Sequence, residues 1–308
     1  MLIIGFQDGQ IQYLNLDKYF SENKLEFVAE TNNSQDEIKK IINYKKKEVM
    51  IASKKKGIKI WNLFDNKKNI LLKNPYPNLR DFDIYQKTHI FVVFDKIILT
   101  WKKFSPFKWK EFARINLNDS IDRFLVTQNS NLMISTSLYQ NKLNLWSFSN
   151  GKISFCGKFF LKEKIGSICN SPKNNYFVIG SVKGKLYLYN NFGILAGIIS
   201  KKNIFKNDFF SVNQFPLNFF DQNTLFSGGK DKKICGWDIR ISKVISHWKG
   251  HVGNIKHIDC SNYFQVKNSF LIASSDDLGV VKIWDIRKDK EFSSIKVFPK
   301  KITSLKLN

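Results

Sequence analysis

The chain has 308 residues, 43% of them hydrophobic and only six of them proline, which excludes a disordered or collagen-like polymer and provides for a sizeable core. Fifty Lys and Arg against 26 Asp and Glu leave a formal net charge of +24, which points to acidic partners such as nucleic acid or anionic protein surfaces. The abundance of Lys, Asn, Ile and Phe, all specified by A+T-rich codons, supplies a second origin for the same excess, namely genomic drift.

Four cysteines, Cys156, Cys169, Cys235 and Cys260, contain no CxxC pair, so their spacing supports neither a disulfide framework nor a zinc site. The opening MLIIGFQ has no basic flank, and the most apolar interior stretch, HIFVVFDKIILTW, is broken by Asp95 and Lys96. An intracellular protein is therefore expected, with no membrane partner.

In chain order, short β-rich runs end on a recurring anchor: Leu14 in GQIQYLN, Trp61 in GIKIWN, Trp101 in KIILTW, Trp146 in NKLNLWS, Tyr189 in GKLYLYN, Trp237 in KKICGWD and Trp284 in GVVKIWD. Successive anchors lie 47, 40, 45, 43, 48 and 47 residues apart. Running from Trp284 off the C-terminus and on from residue 1 to Leu14 covers roughly one more such period, the arithmetic of a closed ring. Each period holds four strand-like runs. In the last they read NIKHIDC, FLIASS, VVKIWDI and FSSIKV, and between 120 and 161 they read DRFLVTQ, LMISTS, KLNLWSF and KISFCG. No stretch of ten or more residues keeps a helical period, which argues against a βαβ enzyme fold.

The segments LFSGGKDKKICGWDIR and GH followed by FLIASSDDLGVVKIWDIR resemble the repeat of the WD40 β-propeller family. The remaining repeats match in length and strand pattern more than in letters. Asn15, Asn62, Asn190 and Ser147 stand where that family usually has Asp, and Lys102 follows Trp101. The resemblance implies an all-β, seven-bladed β-propeller forming a single domain, closed by a blade shared between the two termini. The blades are expected at 301–308 with 1–30, 37–74, 78–117, 120–161, 164–200, 206–249 and 251–297. It also implies a blade-stabilising network in which His251 bonds the turn carboxylate Asp277 and links to Ser274 and the Trp284 indole, with Asp231 and Trp237 in corresponding roles one blade earlier. DDLGVV is one residue longer than the usual turn, which leaves Asp276 as the alternative partner.

The four histidines fall in no nucleophile or metal spacing, and the Gly-containing turns precede no helix that could cradle a phosphate. No enzyme, cofactor, metal or small-molecule substrate is expected. What remains is surface. Lys54, Lys55, Lys56, Lys183, Lys230, Lys232 and Lys233 fall in equivalent turns and form a candidate phosphate-contacting face. Lysines in the opposite turns nearly balance them, so ordinary solvated lysines are the competing reading. Trp109 is the best candidate for an exposed aromatic, although such a residue more often packs on an outer strand. The resulting expectation is a monomeric scaffold subunit that binds other proteins, with possible RNA contact, in a nuclear or nucleolar complex of ribosome biogenesis or RNA processing. Trp237, Asp238 and Arg240 are similar to the WDxR box of cullin-type ubiquitin ligase substrate receptors, which is the alternative. A cell-cycle or mRNA-export adaptor is a second.

Overall fold

Runs of Val, Ile, Phe and Tyr that alternate with polar residues favour extended backbone, and turn residues cut those runs into short strands. The computed structural model describes residues 1–16, 27–30, 36–45, 48–63, 69–106, 108–128, 130–137, 140–149, 151–172, 176–200, 216–261, 270–288, 291–296 and 301–307. Parts of the expected blades, among them 206–215 and 262–269, lie outside the described residues. The strands form seven four-stranded antiparallel sheets, which packing divides into two compact units, Met1–Ile121 with Val297–Asn308, and Asp122–Lys296.

The first unit holds three sheets. Its first combines β1 (Leu2–Phe6), β2 (Ile11–Leu14) and β3 (Phe27–Glu30) with β28 (Ile302–Leu307), in the order β28-β1-β2-β3. Leu2 pairs with Leu307 and Gly5 with Ser304, so the expected sheet shared by the two ends of the chain is present. The second sheet runs β4 (Ile38–Lys45), β5 (Glu48–Ser53), β6 (Gly57–Asn62) and β7 (Ile70–Lys73). The third runs β8 (Asp81–Tyr85), β9 (His89–Val93), β10 (Ile97–Ser105) and β11 (Lys108–Asn116). The first and second sheets are stitched by the Ile41 amide donating to Ser304 Oγ (3.1 Å) and Asn43 Nδ2 donating to the Leu307 carbonyl (2.9 Å). Gly5 allows that approach, because a Cβ there would come within 2.7 Å of the Ile38 side chain.

The second unit holds four sheets: β12 (Ile121–Val126) to β15 through β13 (Leu132–Ser137), β14 (Lys142–Ser149) and β15 itself (Lys152–Phe160); then β16 (Ile165–Asn170), β17 (Tyr176–Ser181), β18 (Leu186–Asn190) and β19 (Leu195–Ile199). The sixth sheet has β20 (Leu217–Phe219), β21 (Thr224–Gly228), β22 (Lys233–Asp238) and β23 (Lys243–Lys249). The seventh has β24 (Ile255–Cys260), β25 (Leu271–Asp276), β26 (Val280–Asp285) and β27 (Glu291–Lys296). The fold is all-β with seven blades, as the repeat arithmetic implied.

Within each unit, apolar residues of adjacent sheets pack together. Leu143 and Leu145 of the fourth sheet share a cluster with Phe177 and Tyr189 of the fifth, and Phe226 and Trp248 of the sixth share one with Ile272 and Trp284 of the seventh. The anchor residues Trp61, Trp101, Trp146, Tyr189, Trp237 and Trp284 are all buried. A register shift between third and fourth strands recurs immediately before Trp101, Trp146, Tyr189, Trp237 and Trp284, a bulge that adds twist at the anchor.

Candidate functional site

In the seventh sheet Trp284 Nε1 donates to Ser274 Oγ (2.8 Å), Ser274 Oγ lies 2.7 Å from His251 Nε2, and His251 Nδ1 lies 2.9 Å from Asp276 Oδ2. One proton arrangement uses every donor once: the Ser274 hydroxyl donates to Nε2 and the Nδ1–H donates to Asp276. Asp276 Oδ1 in turn accepts the amides of Leu278 (3.1 Å) and Val280 (2.9 Å), which fixes the β25–β26 turn. The loop before β24 is thus clasped to the turn of its own sheet.

The structure corrects the expected carboxylate. Asp276, not Asp277, meets His251. Ser274 and Asp276 are two residues apart on β25 and so share a face. Asp277 lies one residue beyond the strand and accepts instead from the amide and the Nδ2 of Asn254 (2.8 and 2.7 Å). Serine, histidine and aspartate in this order resemble a nucleophile relay, but Ser274 is 0% exposed and its oxygen already accepts the Trp284 N–H. No substrate atom has access to it, so the trio holds structure.

Parts of this arrangement recur. Trp237 Nε1 donates to Ser227 Oγ (2.8 Å) and Trp146 Nε1 to Ser135 Oγ (3.0 Å). Asp231 does not take the place of Asp276 in the sixth sheet: Gly229 stands two residues after Ser227, and Asp231, further along the turn, accepts the Lys233 amide at 3.4 Å.

Two further clasps escaped the sequence reading. Asp36 is buried before β4 and accepts the amides of Lys55 (2.9 Å) and Lys56 (2.7 Å) in the β5–β6 turn. Glu163 is buried before β16, where Ser181 Oγ donates to Oε2 (2.6 Å) and Lys185 Nζ lies 2.6 Å from Oε1. Burial pushes the Glu163 carboxyl up, but the hydrogen bonds from Lys185 and Ser181 outweigh it and hold the group below the usual carboxylate range. Each acid stands two residues before the isoleucine that opens a first strand, and that spacing was the available signal.

The WDxR-like residues Trp237, Asp238 and Arg240 are neighbours in space. Arg240 donates through its amide (2.9 Å), Nε (3.1 Å) and Nη2 (2.7 Å) to Asp238. Asp285 and Arg287 repeat the arrangement one sheet later, at 3.0, 2.9 and 2.7 Å. Hydrogen bonds from the arginines hold both carboxyls below their ordinary range. Both guanidinium groups remain largely exposed.

Lys54, Lys55 and Lys56 form the β5–β6 turn, Lys183 lies in the β17–β18 turn, Lys230 and Lys232 lie in the β21–β22 turn, and Lys233 opens β22. Lys55, Lys56, Lys183 and Lys232 are exposed; Lys54, Lys230 and Lys233 are partly buried. Lys54 approaches Glu37 (3.9 Å). The corresponding turn of the seventh sheet is acidic, with Asp276 and Asp277, so the lysines concentrate in particular sheets. Trp109, the candidate for an exposed aromatic, instead packs partly buried against the third-sheet core, beside Tyr44 and Lys103, the outer-strand packing that is the commoner role of such a residue. Among the described residues no group of three or more His, Cys, Asp or Glu could hold a metal ion, and no helix is long and apolar enough to cross a membrane.

No family model matches the chain. Proteins of Drosophila simulans and Drosophila melanogaster named WD repeat-containing protein 55 homolog are 26% identical to it over 148 residues, which is 48% of this chain but only 28% of their own length. Protein DSE1 of Kluyveromyces lactis is 40% identical over 80 residues, 26% of this chain and 12% of that protein. The crystal structure of the WD40 β-propeller domain of Doa1 aligns with a TM-score of 0.66 at 16% sequence identity, over 87% of this chain and 86% of that one, a likeness of fold. Anchored repeats, seven four-stranded sheets and this likeness give the chain the fold of a WD40-repeat β-propeller, and it is similar over part of their length to proteins named for WD repeats.

Proposed function

We propose that this chain is a non-enzymatic assembly scaffold of a nuclear or nucleolar particle, of the kind that serves ribosome biogenesis or RNA processing, joining protein partners and touching RNA phosphates through its basic turns. WD40 propellers generally bind other proteins. The observation that carries the reading is a contrast in exposure: the Ser274–His251–Asp276 constellation is sealed in a sheet, while Lys55, Lys56, Lys183 and Lys232 stand in solvent at equivalent turns. Lysines read by phosphate give salt-sensitive, sequence-blind affinity.

Anisotropy titrations with unrelated RNA sequences at two salt concentrations test it. Replacing Lys54, Lys55 and Lys56 by Ala, or Lys230, Lys232 and Lys233, is expected to weaken binding to every sequence alike and flatten the salt dependence. Salt-insensitive or absent RNA binding by the unaltered chain removes nucleic acid from the reading; a pull-down with and without nuclease then tests the protein scaffold alone. The ubiquitin-ligase alternative draws support from the Trp-Asp-Ile-Arg segment occurring twice, in successive sheets, with the same Asp–Arg geometry. Co-elution with a cullin-ligase adaptor that is lost when Arg240 and Arg287 become Ala would favour it.

A further inference from the structure

The described apolar residues that reach solvent are not spread evenly. Of fifteen large exposed hydrophobic side chains, eight lie between Phe155 and Ile198, on the fourth and fifth sheets. Scattered singly they would need no account, but these adjoin. Phe159 on β15 lies 6.4 Å from the Tyr189 ring of the fifth sheet, and Leu195 and Ile198 pair across β18–β19 with Tyr189 and Tyr187, which pack toward the fourth sheet. Phe159, Leu195 and Ile198 therefore line the two sides of one cleft at the outer edges of these sheets. Phe192, 82% exposed, and Ile194, 62% exposed, stand at its mouth on the β18–β19 turn.

That turn is held in place. A Cβ on Gly193 would collide with Leu145 Cδ1, and Asn190 Oδ1 accepts the amides of Phe192 (3.0 Å) and Ile194 (2.9 Å). On the other wall a Cβ at Gly157 would meet nothing within 4 Å, so the cleft is open above Leu145, its cross-strand neighbour.

β15 is also the outermost strand of its sheet, nine residues long, and its sequence KISFCGKFF carries lysines and no carboxylate. Exposed edges are ordinarily guarded by charge, lysine above all; β11 carries both signs in Lys108, Lys110, Glu111 and Arg114, whereas β15 carries positive charge alone, which repels a basic strand but not an acidic one. Lys152 and Lys158 are exposed on β15, Lys162 and Lys164 are exposed just after it, and Glu163 between them is turned inward to Ser181 and Lys185.

We infer that the outer edge of β15 takes an extended segment of a partner protein by strand addition, its apolar side chains entering the Phe159–Leu195–Ile198 cleft and its carboxylates meeting the surrounding lysines. Main-chain hydrogen bonds to the free edge supply affinity, and side chains at alternate positions supply selectivity. The charge decides the occupant: a second copy, carrying the same +24, would bring lysine against lysine, whereas an acidic, apolar segment complements the edge. This inference rests on the scaffold reading.

Cys156, exposed on β15 while Cys169, Cys235 and Cys260 are buried, is a native reporter. The rate of its alkylation in the full chain is measured with a hexapeptide alternating Glu with Phe and Leu, and with the same peptide carrying Lys for Glu. The acidic peptide is expected to slow the reaction several-fold and the basic one to leave it unchanged. Lys158→Glu, an exposed change, is expected to reverse that preference with the melting temperature unaltered. Equal protection by both peptides, or by neither, overturns the inference. Protection that rises with protein concentration alone, together with a dimer in sedimentation, also overturns it by making a second copy the occupant. If the peptides fail while partner recovery persists, the scaffold reading stands and only the β15 site falls.

Discussion

In the seventh sheet the loop before the first strand reaches its own β25–β26 turn through His251, whose ring bridges Ser274 and Asp276. In the fifth sheet the loop before β16 reaches the β17–β18 turn through Glu163, which takes a hydrogen bond from Ser181 and an ion pair from Lys185. Counted from the anchors, Ser181 stands at the place of Asp276 and Ile179 at that of Ser274, so both clasps reach the same end of the second strand while the bridging residue and its partners differ. In each of these sheets a buried polar group ties the entering loop to a hairpin turn, and an imidazole or a carboxylate serves when its partners are complete. Repeat letters can therefore drift while sheets keep their form.

The largest expected effect lies outside both clasps and calibrates them. Deleting 301–308 removes β28 from β1 and exposes the edges of the first sheet, with loss of cooperative unfolding in urea or heat as the expected outcome. A truncated chain with an unchanged transition would mean that the shared sheet holds nothing together.

Next in size is the anchor of the seventh sheet. Trp284→Ala is expected to destabilise by about 3 to 5 kcal/mol, because it opens a cavity at a fully buried site and strips Ser274 of a donor. Chemical denaturation measures it, and a loss no greater than that of an exposed substitution would contradict the packing.

The serines sharpen the comparison itself. Ser274→Ala leaves both the Trp284 N–H and His251 Nε2 without this partner, whereas Ser181→Ala leaves Glu163 its Lys185. Both should cost something in the range of about 1 to 3 kcal/mol, with Ser274→Ala the larger. Equal losses would show that the two clasps do not differ in how they distribute their bonds.

The smallest effect is a pH dependence confined to the fifth sheet's clasp. The folded Glu163 carboxyl titrates below its unfolded value, so it contributes stability that is present above the ordinary glutamate range and disappears as pH falls through the lowered folded value. Glu163→Gln should reduce the slope of stability against pH in that acid window and leave the slope near neutrality alone. An unchanged acid slope in the variant would remove Glu163 from the account.

The fold was legible because its signal is long: six buried aromatic anchors at a nearly constant period survive many changes in the residues between them. The site was legible only in part. His251, Ser274 and Trp284 could be placed by resemblance, but the choice between Asp276 and Asp277 turns on where β25 ends, since one residue of extension moves a side chain to the opposite face. Asp36 and Glu163 were missed because a search for histidine before a first strand does not find carboxylates that do similar work. The bulge before five of the anchors left no trace in residue type, as it is an effect of pairing between strands. The lysine turns were located correctly on the chain, yet side-chain exposure, which separates Lys232 from Lys233, depends on neighbours that sequence alone does not position.

The clasp in the seventh sheet is tested most directly by a double-mutant cycle on unfolding free energy, with His251→Ala and Asp276→Ala singly and together, and Asp277→Ala in place of Asp276→Ala as the control. A direct contact in a buried network is expected to give a coupling of about 0.5 to 3 kcal/mol between His251 and Asp276, and His251 with Asp277 should be additive to within about 0.5 kcal/mol. Strong coupling to Asp277 with none to Asp276 would contradict the account.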